Sequence, residues 1–215
     1  MSLTAKILLS CAIVFSLSLG LYLYPILTNP FYSNLFSSSS EQELRENYQS
    51  HKKELDELKA YFNSITPSNL VVDIEFNDLD NASMKISYPP DKISQGKSYF
   101  AEWEFNPYHY KELPAHSTPH ADYDPEVTSL SVVKERLHWT DDTFRAIAAH
   151  LAKANCIGVQ NGEPTKISFR MSGMGRYSYN IFSQPISDSL RPHYNNTCTY
   201  RLFTSTVAFE YGGVP

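Results

Sequence analysis

The chain has 215 residues, with 18 Lys and Arg against 23 Asp and Glu and a formal charge of −5 at pH 7. That length holds one domain of about 150 residues with accessory segments and excludes a large multidomain enzyme. An acidic balance without clustered Lys or Arg argues against nucleic acid as a partner, and 15 Tyr with 12 Phe describe a folded domain instead of a disordered acidic chain.

Lys6 is the one charged side chain before Glu41. Between them, Ile7 to Leu27 is an uncharged run of 21 residues, long enough at about 1.5 Å per residue to cross a hydrocarbon core of about 30 Å. Residues 1–6 are therefore expected on the cytoplasmic side, residues 7–27 as a single transmembrane anchor in contact with membrane lipid, and everything after them outside the cytoplasm. Tyr22 and Tyr24 suit the outer interface, and Pro25 marks the helix end. A cleaved signal peptide is the competing reading and would leave a secreted or periplasmic protein. Both export the remainder.

Residues 28–40 read as a juxtamembrane linker, with Pro30 and the run Ser37 to Ser40. Ser40 and Glu43 form a capping-box pair, and residues 41–65 follow as an amphipathic stalk helix ended by Pro67. Leu44, Tyr48, Leu55, Leu58 and Phe62 recur, through His51, at spacings of four and three. That stripe suits either self-association as a short coiled coil or packing on the chain's own domain.

Residues 66–215 are expected to form an extracytoplasmic α+β domain, a mainly antiparallel sheet with one packed helix. Strands are predicted at Val71–Phe76, Met84–Tyr88 and Tyr99–Phe105, followed by a long loop over residues 106–126. Leu130 to Trp139 has the branched and aromatic content of a short strand with imperfect alternation. Thr140, Asp141 and Asp142 then cap a helix whose apolar stripe is Phe144, Ile147, Ala148, Leu151 and Ala154. Further strands are predicted at Cys156–Val159, Lys166–Met171 and Tyr177–Phe182, with Asn161-Gly162 as a turn and Thr199 to Tyr211 as one long final strand. The hairpin-sized separations favour antiparallel pairing over a doubly wound sheet.

Chemistry is less strongly marked. Cys156 and Cys198 are the exported cysteines, and an oxidising compartment would permit a disulfide between them. His109, His116, His120 and Asp122, with Asp124, are the densest group of metal-ligand types, but Pro119 interrupts the spacing and no zinc motif is present, so no cofactor is expected. Asn81-Ala82-Ser83 and Asn195-Asn196-Thr197 are glycosylation sequons. No nucleophile elbow or phosphate-binding loop occurs. Arg170, Arg176, Tyr177, Tyr179, Tyr200 and Arg201 combine hydrogen bonding with aromatic contact and form a candidate recognition surface for a protein, peptide or glycan. The expectation is a membrane-anchored binding or assembly module, with a second copy or an envelope protein as partner. A small metal-dependent hydrolase and a purely structural envelope domain are the alternatives.

Overall fold

Ser40 starts the first helix through a reciprocal capping box: its hydroxyl accepts from the Glu43 N–H, and its own N–H donates to the Glu43 carboxylate. The computed structural model describes residues 40–76, 82–89, 100–105, 130–172 and 175–211. The expected stalk helix is two helices, α1 (Glu41–Ser50) and α2 (Lys52–Ile65), with non-helical backbone at His51 between them. Among the described residues no helix is long and apolar enough to cross a membrane, and Ile7 to Leu27 lies outside them.

Two further helices follow, α3 (Leu130–Leu137) and α4 (Asp141–Lys153). The first corrects the strand-like reading of Leu130 to Trp139. Lys134 and Arg136 sit in its last turn, where cations favour the helix dipole, and His138 at φ 56° lets the Trp139 N–H reach back to the Lys134 carbonyl. The second starts on the expected Thr140 cap and ends in the same way, with Asn155 at φ 52° and the Cys156 N–H on the Leu151 carbonyl.

Among the described residues, eight strands form one antiparallel sheet: β1 (Val71–Phe76), β2 (Ala82–Ser87), β3 (Phe100–Phe105), β4 (Gly158–Gln160), β5 (Thr165–Ser172), β6 (Gly175–Ile181), β7 (Tyr200–Thr204) and β8 (Val207–Tyr211), in the order β3-β2-β1-β4-β5-β6-β8-β7. The expected long final strand is the β7–β8 hairpin. Its turn has no Gly, Pro or Asn; the Thr204 hydroxyl accepts from the Thr206 N–H instead.

Strand alternation divides the sheet into an apolar face and a polar face. On the apolar face, register aligns Met84, Ile74, Val159, Ile167, Tyr179 and Phe209 across six strands, all fully buried. The helices cover this face, and α2 also packs on α4 through Phe62, Trp139 and Phe144 ring contacts and the Trp139 indole N–H on the Ile65 carbonyl. Leu44, Tyr48, Leu55, Leu58 and Phe62 all point into this core. The stripe is thus occupied by the domain itself, and a coiled coil through it would require both helices to leave the sheet. The face continues through a bulge at Ser168–Arg170, which puts Phe169 and Arg170 on one side and reverses the phase of β5 beyond it.

Asn47 ties α1 to the sheet. It is 5% exposed; its Nδ2 donates to Tyr179 Oη at 3.0 Å and to the Ala154 carbonyl at 3.2 Å, and its Oδ1 accepts from Asn155 Nδ2 at 2.8 Å. Cys156 lies fully buried beside it, whereas Cys198 is exposed in the segment before β7. Both are free thiols, which corrects the expected disulfide: one cysteine is under α1 and the other on the surface. Burial raises the Cys156 thiol pKa far above its ordinary value, with Arg170 and Asn47 only partly opposing the shift, so this thiol is protonated and unreactive.

Candidate functional site

The opposite face of the sheet carries the polar alternation positions and gives way, at its β7–β8 end, to a small apolar cluster of Phe182, Ile186, Ala208 and Leu202. One register row runs Ser83, Glu75, Gly158, Ser168, Ser178, Glu210 and Tyr200; the next runs Lys85, Asp73, Gln160, Lys166, Asn180, Ala208 and Leu202. Gly158 is required in the first row, since a Cβ there would meet the Ile74 carbonyl at 2.9 Å. With no side chain at Gly158 and a short one at Ser168, Arg176 reaches across to pair with Glu75. Burial pushes the Glu75 carboxyl up, and the Arg176 charge opposes that rise without cancelling it.

The polar rows end at a cleft of about 530 Å³, within the range of about 300–1,000 Å³ typical of small-ligand sites. Gln160, Lys166 and Asn180 come from β4, β5 and β6, Glu210 from β8, and Tyr200 from β7; Tyr194 of a 3-10 turn (His193–Asn195) joins them. The wall formed by the β4–β5 turn is held in place. Asn161 accepts from the Val72 N–H and donates to the Leu70 carbonyl, Gly162 at φ 129° donates its N–H to Asn63 Oδ1, and Glu163 accepts from the Ser183 N–H. The aromatic wall is equally tied. Phe182 meets Tyr194 edge-on, and the Asn196 carboxamide oxygen accepts the N–H groups of Cys198, Thr199 and Tyr200.

Charge on the cleft floor is compensated. Lys166 Nζ lies 2.7 Å from Glu210 Oε1, and Asn180 Nδ2 donates to Glu210 Oε2 at 3.1 Å. Burial, with Glu210 nearby, raises the phenol pKa values of Tyr194 and Tyr200, so both hydroxyls keep their protons at neutral pH. Those hydroxyls and the Gln160 carboxamide have no hydrogen-bond partner among the described residues.

The residues singled out from sequence divide between the two faces. Tyr179 is a fully buried core residue, Tyr177 and Arg170 lie on the helix-covered face, and Arg201 pairs there with Glu41 of α1 at 2.6 Å. Arg176 is on the polar face with Glu75, and only Tyr200 of the six lines the cleft. His109, His116, His120, Asp122 and Asp124 lie outside the described residues, as does Asn81; Asn195 is exposed in the 3-10 turn. The remaining cleft residues carry no local motif. Each is one polar alternation position or turn residue, brought together by the β4-β5-β6-β8 order. Compared with known proteins, the chain matches no family model, no curated protein and no solved structure.

Proposed function

We propose that the protein is a single-pass membrane-anchored module that holds its sheet domain outside the cytoplasm and binds a polar ligand in the cleft on the polar face. The observation carrying this reading is the cleft itself: a fixed concavity where an amide and two tyrosine hydroxyls are available and the floor lysine is already paired with a carboxylate. Among the described residues its lining holds neither histidine nor cysteine, and its lysine and the floor carboxylate are tied to each other, which favours recognition over chemistry. Anchoring is supported by the uncharged run from Ile7 to Leu27 following Lys6, and export by the absence of charge between that run and Glu41.

Two measurements test the two halves. Protease added to intact cells of the natural host is expected to degrade residues 41–215 while the chain remains in the alkali-washed membrane fraction; protection until the membrane is broken contradicts export. Amide hydrogen exchange of the full chain with the dialysable fraction of a host envelope extract is expected to slow in β4, β6 and β8 around Gln160, Asn180 and Glu210. Protection confined to the outer surfaces of α1 and α2 contradicts the cleft as the binding site.

A further inference from the structure

Resting on the reading of the cleft as a binding site, we infer that its ligand is a neutral saccharide. Charge is the first argument. Among the described residues the one cation lining the cleft, Lys166, is paired with Glu210 at 2.7 Å, and Glu163 adds a second carboxylate to the wall. A phosphate or carboxylate ligand would have to displace Glu210 from both Lys166 and Asn180 and then sit beside the displaced carboxylate. A cationic ligand on the floor would compete with Lys166 for Glu210, and Glu163 on the wall is already engaged by the Ser183 N–H. A neutral ligand leaves the pair intact.

Hydrogen-bonding chemistry is the second. Gln160 offers both a carbonyl and an amino group, and Tyr194 and Tyr200 offer hydroxyls that donate and accept. Sugar hydroxyls have the same double capacity, and a row of them can satisfy all three groups. The half-buried rings of Tyr194 and Tyr200 also supply apolar surface beside the polar floor, matching the C–H face of a pyranose lying against its own hydroxyls.

Topology is the third. An extended peptide gains affinity by adding a strand to a free sheet edge. The cleft floor is built from β4, β5, β6 and β8, each flanked by strands on both sides, and the edge strand β7 contributes only Tyr200 to the lining. Their backbone groups are committed to the ladder, so recognition there depends on side chains projecting from a sheet face, which suits a compact polyhydroxylated ligand.

The test uses the full chain in lipid nanodiscs, since sugar-based detergents would compete. Probes are hexasaccharides of β-1,3-glucose, α-1,6-mannose and β-1,4-N-acetylglucosamine, an anionic hyaluronan hexasaccharide, and tetra-alanine amide. At least one neutral hexasaccharide is expected to bind, and Gln160→Ala and Tyr200→Phe are each expected to weaken it about tenfold, the effect of losing roughly one well-made hydrogen bond. Tyr200→Phe keeps the ring and its packing, so a loss in that variant reports the hydroxyl and not misfolding. Binding of the anionic or peptide probe, weakened by the same variants, overturns the saccharide inference and leaves the cleft as a binding site. Absence of any probe binding that responds to these variants overturns both.

Discussion

Replacing Asn47 with Ala is expected to destabilise the domain by about 2–4 kcal/mol, a magnitude that follows from its partners. Three buried or partly buried hydrogen bonds disappear, to Tyr179, Ala154 and Asn155. Each contributes about 0.5–1.5 kcal/mol, and a stranded buried partner adds to the loss. The total stays below the maximum because two partners keep other bonds: Tyr179 Oη still donates to the Leu44 carbonyl at 2.9 Å, and the Ala154 carbonyl still accepts the Cys156 thiol at 3.3 Å. Tyr179→Phe removes the bond shared with Asn47 and the one to Leu44, for about 1–2 kcal/mol. Because one bond is common to both substitutions, the double variant is expected to lose less than the sum of the singles. Urea unfolding of the full chain in mild detergent, followed by fluorescence of the buried Trp139, measures all three. An Asn47→Ala cost below about 0.5 kcal/mol, or strict additivity with Tyr179→Phe, would refute the idea that this network fastens α1 to the sheet.

Leu151→Ala is expected to cost about 2–5 kcal/mol, because the side chain is fully buried beneath α4 and its loss leaves a cavity; unchanged chemical unfolding would reject that packing. Glu75 holds its proton more tightly in the folded protein than in the unfolded chain, so its ionisation costs stability as pH rises from its ordinary value of 4.5 through the raised folded value. The parent is therefore expected to lose stability relative to Glu75→Gln across that window and to run parallel to it above, whereas a parent that gains on the variant with rising pH would reverse the assigned direction. Native maleimide labelling without reductant is expected to modify Cys198 and spare Cys156, both reacting once the chain is unfolded; protection of both in unfolded, unreduced protein would indicate a disulfide.

The elements that could be read from sequence are those with a local chemical cause. Ser40 and Thr140 announce their helices because a cap is a contact within three residues, and the Phe144, Ile147 and Leu151 stripe fixes the buried face of α4 by period alone. Elements closed by an uncommon residue type, or fixed by a distant cause, were not legible. The β7–β8 turn is closed by a Thr hydroxyl where Gly or Asn would have marked it, and α3 carries Val132-Val133, residues that favour strands locally. The predicted recognition surface assumed that neighbouring Arg and Tyr share a face. Alternation separates Arg176 from Tyr177, and the bulge at Ser168–Arg170 turns Arg170 toward Asn155 and the helices. Cleft residues such as Gln160, Lys166 and Glu210 become neighbours only through strand order, which no spacing between residues 160 and 210 encodes.

The claim that the polar sheet face is the working surface is tested most directly by an amide chemical-shift titration of the full chain in nanodiscs with each of the three neutral hexasaccharides. The account predicts that one of them shifts resonances clustered at Gln160, Lys166, Asn180, Tyr194, Tyr200 and Glu210, with α1 and α2 unchanged. Shifts centred on the helix-covered side would contradict it, and no shift with any of the three would contradict the saccharide inference.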